Sequence, residues 1–371
     1  MELNITELLT KMIEARASDL HIIVGAPPTI RLDGELIPLP GCDKLDPKEA
    51  QELIYSVMNE AQIAEFETDN ECDLSFGIEK LSRFRLNVYR NRGSVAAAFR
   101  GIPFRIKTIE DLQLPSVVGD LAFRHQGLVL VCGPTGSGKS TTLAAIIDRI
   151  DRERSLHIVT IEDPIEFIYN HEKSLVSQRE VFSDTNSFGA ALKRVLRQDP
   201  DVILIGEMRD TETILAALTV AETGHLAFGT LHTNDALQTL NRVIDVFPAN
   251  QQAQVRTQLS FVLEAVLVQQ LLPHAGGEGR VMAMEIMLVN PAIRSLIRGE
   301  KLEQIPSIIE VGAASGMMSM DRSLCRLLRD GLITHAVALA QSTSPDNLQR
   351  MIDKEKDGRP NASYGFKGKP V

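Results

Sequence analysis

Apolar residues recur at helical spacing in the opening stretch MELNITELLTKMIEARASDL, where Ile5, Leu8, Leu9, Met12 and Ile13 share one face. The run DLHIIV then reads as a strand. TIRLDGELIPL reads as a hairpin turning at Asp33-Gly34, since Asp-Gly accepts the positive φ of a tight turn. Asp46 followed by Pro47, with Glu49 three positions after Asp46, predicts a helix capped by Asp46 and opened by Pro47. CDLSFGI, RFRLNVYR and SVAAAFRGI are expected to be successive antiparallel strands, which makes the first hundred residues α+β.

From about Gly127 the rhythm changes to strand, loop, helix. GLVLVC, HIVTIE, DVILIGE and HLAFGTLH are near-continuous apolar runs, the pattern of strands covered on both faces, and helical stretches separate them. A mainly parallel sheet of the α/β class follows. FRIKTIEDLQLPSVVGD, with Pro115, is the expected linker, and the chain after Val289 is expected to be helical again. The polar, breaker-rich end KEKDGRPNASYGFKGKPV is expected to be disordered. The expected organisation is therefore an N-terminal domain over 1–102, a linker over 103–118, a second domain with C-terminal helices over 119–352, and a tail over 353–371.

Composition narrows the class. A chain of 371 residues is long enough for two domains with separate cores. Hydrophobic residues at 44% and charged residues at 24% fit a folded globular protein rather than a disordered one. A formal net charge of −10 opposes the broad attraction that drives nonspecific nucleic-acid binding, so no nucleic-acid partner is expected. Cys42, Cys72, Cys132 and Cys325 form no C-x-x-C pair, which points to neither a disulfide framework nor a cysteine zinc site. The N-terminus lacks the basic lead and unbroken apolar core of a signal peptide, and no segment reaches the roughly 20 apolar residues of a membrane span. A cytoplasmic protein without a transmembrane segment is expected.

The candidate chemistry starts directly after GLVLVC. GPTGSGKST, comprising Gly133, Pro134, Thr135, Gly136, Ser137, Gly138, Lys139, Ser140 and Thr141, fits G-x-x-x-x-G-K-S between a predicted strand and a predicted helix. The glycines let successive backbone N–H groups turn inward, and the helix N-terminus adds partial positive charge. Lys139 can reach terminal phosphates and Ser140 can ligate Mg²⁺. A dinucleotide fold is not indicated, because Gly136 and Gly138 are followed by Thr141 where G-x-G-x-x-G needs a third glycine.

Phosphates and a metal ion also need a carboxylate. DVILIGEMRD places Glu207 at the end of a buried strand, where it could hold the hydration shell of Mg²⁺ or polarise the attacking water. TIEDPIEF places Glu162, Asp163 and Glu166 after another strand; solvated strand ends and helix caps are the alternative reading for all four acids. His225 and His232 stand at opposite ends of a predicted strand, where a core or edge role competes with phosphate sensing by His232. Arg83, Arg85, Arg90 and Arg92 are dense and strand-borne, and a solvated face is the plainer reading for most of them. The amphipathic helix expected from Pro291 to Gly299 could either dock a partner or face the core.

The ordered series GPTGSGKST, TIEDPIEF, RQDPDVILIGEMRD and AETGHLAFGTLHTNDA resembles the secretion ATPase superfamily, which powers type II and type IV secretion and type IV pili. Within it, SDLHIIVGAPPTIRLDGEL, LSRFRLNVY, AIRSLIRGEKLEQI and GMMSMDRSL are similar to the PilT-type pilus-retraction, or twitching-motility, ATPases. The resemblance covers roughly residues 3 to 350, with Ser295 standing where the family usually has Asn. It implies a RecA-like P-loop ATPase domain, a smaller PAS-like N-terminal domain, and a homo-hexameric ring using ATP and Mg²⁺.

Residue by residue, the resemblance implies phosphate and Mg²⁺ binding for Lys139 and Ser140, and an acidic box containing Glu162, Asp163 and Glu166. It implies a Walker B role for Glu207 as the catalytic carboxylate and a Mg²⁺ holder through water, and a histidine box of His225 and His232. Arg85 and Arg100 match the N-terminal-domain arginines that reach the nucleotide. The implied partners are an inner-membrane pilus platform protein and a paralogous retraction ATPase, at the inner face of the cytoplasmic membrane. A pilus-assembly or type II secretion ATPase and a RecA-type nucleic-acid translocase are the alternatives. Assembly motors usually carry a tetracysteine zinc insertion and an extra N-terminal domain, and this sequence shows neither, which favours retraction.

Overall fold

A computed structural model describes residues 4–32, 34–78, 81–102, 106–277 and 279–356. The chain divides into two compact units: Met1–Arg105 with Glu166–Ile168, and Ile106–Ile165 with Tyr169–Val371.

The first unit has a helix Ile5–Glu14 and strands β1 (Asp19–Ile22), β2 (Thr29–Leu32), β3 (Glu35–Pro38), β4 (Glu71–Ile78), β5 (Ser82–Asn91) and β6 (Ser94–Ile102). They form one antiparallel sheet in the order β3-β2-β1-β6-β5-β4. Leu32 pairs with Glu35, which leaves two residues for the hairpin turn; Gly34 has φ +92°, and Asp33 lies outside the described residues. The helix Pro47–Tyr55 carries the expected cap: Asp46 accepts from Lys48 and Glu49, and Glu49 accepts from the Asp46 N–H. Met12 of the first helix packs on Gly101, where an added Cβ would meet Met12 Cε at 2.9 Å. The opposite face of the sheet carries charge. Arg85 pairs with Arg100, Arg100 with Asp19, and Asp19 with Arg31, so four ionisable side chains stand in one row across four strands.

The second unit contains β7 (Gly127–Cys132), β8 (His157–Glu162), β9 (Leu175–Glu180), β10 (Val202–Ile205), β11 (Leu226–Leu231), β12 (Leu263–Pro273) and β13 (Arg280–Leu288). The sheet order is β13-β12-β7-β11-β10-β8-β9, parallel except for the β12/β13 pair. β7, β10 and β11 are buried throughout, as their unbroken apolar runs require.

Three features depart from the sequence expectations. β9 has the half-exposed, polar sequence LVSQRE, and the helix Ala249–Val262 runs into β12 without a breaker; neither strand carries a local signal separating it from its surroundings. The division between the two units falls inside the expected linker, and of its described residues Ile106, Ile109, Leu114 and Val118 are buried in the second unit. The helix Pro345–Lys356 takes in the first residues of the expected tail, and residues 357–371 lie outside the described residues.

Pro291–Arg298 is the core-facing helix of its two readings. Ile293 and Ile297 are fully buried, and Arg294 donates to the carbonyls of Ser260 and Phe261 at 2.7 and 2.6 Å and to Glu264 at 2.8 Å. Its polar face thereby closes the C-terminal end of Ala249–Val262. Among the described residues, no helix is long and apolar enough to cross a membrane.

Candidate active site

The phosphate loop leaves β7 at Gly133 and enters the helix Lys139–Glu153. Three glycines bend it: Gly133, Gly136 and Gly138 have φ of +139°, +78° and +89°. At Gly133 the need for glycine is also steric, since a Cβ there would sit 2.3 Å from the Gln269 carbonyl oxygen. Pro134, Thr135 and Gly136 are exposed, whereas Ser137 is buried and its hydroxyl has no hydrogen-bond partner. Lys139 is buried against the loop, its Nζ donating to the carbonyls of Gly133 at 2.8 Å and Pro134 at 3.1 Å. No side chain caps the helix that follows. Glycine-lined backbone, an uncapped helix N-terminus with its partial positive charge, an ammonium and an unpaired hydroxyl fit an anionic phosphate chain.

Sheet order decides what stands beside the loop. Along the carboxyl edge the neighbours β7, β11, β10 and β8 end in the loop, His232, Glu207 and Glu162. At about 4.8 Å between strands, Glu207 stands roughly 10 Å along this edge from the loop strand and Glu162 roughly 14 Å. Thr230 donates to the Gly206 carbonyl at 2.5 Å and Met208 N–H to the Thr230 carbonyl at 3.0 Å, which fixes the segment carrying Glu207 to the end of β11. Glu207 Oε1 then lies 3.1 Å from His232 Nε2 and accepts from Arg209.

Glu162 is buried, with Thr160 Oγ1 donating to it at 2.7 Å and Gln178 Nε2 at 3.4 Å. Glu180 accepts the Ile165 N–H at 3.1 Å, so β9 secures the acidic segment from the side. The Asp163-Pro164 bond is cis. Burial pushes the Cys132 thiol up, which favours the neutral thiol at this position next to the loop.

The other site residues sit elsewhere. His225 is at the amino end of β11, roughly 20 Å along the strand from His232. It bonds Thr223 Oγ1 and the Val220 carbonyl at the end of the helix Thr211–Glu222, and its own carbonyl accepts from Gly127, where β7 begins. Glu166 belongs with the first unit, where its Oε1 is 3.4 Å from Arg85 Nη2. Arg100 Nε donates to Asp19 Oδ1 at 2.8 Å, and Ser18 Oγ donates to the other oxygen at 2.6 Å. Burial alone would raise the Asp19 pKa, but the Ser18 bond and the bond and charge of Arg100 outweigh it and hold the carboxyl below its usual range. Sequence reading passed over Asp19, Gln178, Glu180 and Thr230; Asp19, Glu180 and Thr230 share the signal of a buried polar residue at or next to a strand end, whereas Gln178 is half-buried inside β9 and carries none.

Phosphate loop, acids and histidine on the carboxyl edge of a parallel sheet define a P-loop nucleoside triphosphatase. A family model described as type II/IV secretion system protein matches residues 1–306, and the chain belongs to that family. It is 48% identical over 348 residues to the type IV pilus retraction ATPase PilT of Pseudomonas aeruginosa, spanning 93% of this chain and 100% of that protein. It is 46% identical over 343 residues to a twitching motility protein of Neisseria gonorrhoeae, spanning 92% and 91% of the two chains. A crystal structure of the pilus retraction motor PilT with bound ADP superposes with a TM-score of 0.88 at 50% identity, covering 94% of this chain and 100% of that one.

Proposed function

We propose that the chain is an ATP-hydrolysing motor that drives type IV pilus retraction, working as a homo-hexamer against an inner-membrane platform protein at the cytoplasmic face of the membrane. The observation that carries the hydrolase reading is the row of loop, His232, Glu207 and Glu162 along one sheet edge. The kinship with PilT and a twitching motility protein supports retraction as the output.

In this reading Gly133–Thr141 holds the triphosphate, with Lys139 on its terminal phosphates. Among the described residues no group of three His, Cys, Asp or Glu side chains could hold a metal by itself. A magnesium ion would take Ser140 and, through water, Glu207, and complete its shell with phosphate oxygens and water. When bound, Mg²⁺ neutralises phosphate charge. Glu207 orients the attacking water and accepts its proton, and His232 on the same carboxylate sets its direction and senses the terminal phosphate. Glu162, Asp163 and Glu166 form the acidic box. Arg85 and Arg100 bring positive charge to the nucleotide, a contribution worth 10³–10⁵ in rate, or roughly 4 to 7 kcal/mol, in comparable enzymes.

The test has two arms. The purified chain should hydrolyse ATP, and Lys139→Ala should abolish it; turnover near wild type in that variant would remove the site assignment. A deletion strain should carry excess surface filaments and lose twitching. Loss of all filaments would point to an assembly motor.

A further inference from the structure

Gln269 lies on β12 one residue beyond Val268, which pairs with Cys132 at the end of β7. It is fully buried, and its side-chain oxygen has no hydrogen-bond partner, so the carboxamide is held through its nitrogen alone. Its backbone carbonyl oxygen crowds Gly133, where the phosphate loop begins. Its side-chain nitrogen donates to Thr142 Oγ1 at 2.6 Å and to Met282 Sδ at 2.9 Å. Thr142 is itself fully buried in the first turn of the helix where the loop ends. One residue, from a strand outside every motif of the sequence, therefore touches both ends of the loop.

The hairpin it belongs to also lines the loop between those ends. A Cβ on Gly138 would stand 3.4 Å from Met282 Cε on β13 and 3.7 Å from Leu271 Cδ1 on β12. The β12/β13 hairpin is thus the backing against which the loop is shaped.

We propose that Gln269 is a positioning residue for the phosphate loop, tying the end of β7 to the first turn of the loop helix so that the loop holds its phosphate-binding form. The inference rests on the reading of Gly133–Thr141 as a nucleotide site. A loop held in its binding form pays less ordering entropy when ligand arrives, so loosening it weakens nucleotide binding in ground and transition states alike. Such a change raises KM and leaves kcat nearly unchanged.

Thr142→Val and Thr142→Ser separate the hydroxyl from the packing, and Gln269→Met removes the carboxamide at similar volume. ADP affinity, ATP KM and kcat are measured on the full-length chain, with thermal melting as the folding control. Thr142→Val and Gln269→Met should each weaken ADP binding and raise KM about tenfold, with kcat within about twofold. Thr142→Ser should restore KM to within about threefold of wild type, and the double variant should be no worse than either single one, as expected for two halves of one bond. A Thr142→Val protein that melts like wild type and keeps its KM within about twofold overturns the proposal, as does a double variant whose loss is the product of the single ones. If Gln269→Met does not fold, the Val and Ser variants still decide. Absence of ADP binding by the wild-type chain, or binding untouched by Lys139→Ala, would instead sink the nucleotide reading, and both appear before any Gln269 or Thr142 comparison.

Discussion

His232 Nε2 lies 3.1 Å from Glu207 Oε1, each residue standing just beyond the end of one of two neighbouring parallel strands. In the proposed mechanism the contact joins the two groups assigned to the attacking water and the terminal phosphate. Glu207→Gln keeps an acceptor for His232 but removes the basic charge. Turnover should fall by about 10²–10⁴, the span of general acid–base contributions, while ADP affinity stays close to wild type. His232→Ala should lose less. Parallel loss of ADP affinity in Glu207→Gln would move this glutamate from chemistry to binding.

Gly133→Ala should damage both stability and nucleotide binding. The φ of +139° disfavours any side chain, and the added methyl would meet the Gln269 carbonyl at 2.3 Å. Backbone strain of this kind costs about 1–3 kcal/mol, which thermal melting would register as a fall of several degrees. A variant that melts and binds ADP like wild type would contradict the packing described at the loop.

The Asp19–Arg100 pair should contribute stability in a pH-dependent way. Because the folded carboxyl titrates below 3.8, its contribution is present above that value and is lost as pH falls through the folded pKa. Arg100 is largely exposed, so the pair is worth only about 0.5–1 kcal/mol. Denaturant titrations of wild type and Asp19→Asn should differ by that amount at neutral pH and converge in strong acid. A gap that widens toward acid would reverse the sign assigned here.

Glu285 on β13 should act in the opposite sense. Burial raises its pKa to about 7, helped by Asp235 and Asp321 and opposed by the N–H groups of Ala236 and Met320. The folded state therefore holds this proton more tightly than the unfolded chain, and stability should decline as pH rises from about 4.5 to about 7. Glu285→Gln keeps an acceptor for Ala236 N–H, bonded at 2.8 Å in the wild type, and cannot ionise. Its melting temperature relative to wild type should rise across that window. Parallel curves for the two proteins would show that the carboxyl does not titrate there.

The sequence by itself determined whatever depends on neighbours along the chain. The phosphate loop was legible because its glycines, Lys139 and Ser140 are contiguous and a buried strand and a helix flank them. The Asp46 cap was equally local. The strands β7, β8, β10 and β11 showed themselves as apolar runs, since burial on both faces removes alternation. Glu207, Glu162 and His232 were identifiable as strand-end residues for the same reason.

Tertiary structure alone decided which strand ends meet. The order β7, β11, β10, β8 differs from chain order, and it puts His232 beside Glu207 while leaving His225 at the far end of the same strand. β9 was illegible because its polar residues satisfy their neighbours, Gln178 and Glu180 bonding Glu162 and the Ile165 N–H, rather than marking a core face. Gln269 sits in the apolar run LEAVLVQQLLP, 127 residues from Thr142, and nothing local distinguishes it. Side-chain pattern tells a residue which face it belongs to; strand order and register, fixed by packing across the whole sheet, tell it what it touches.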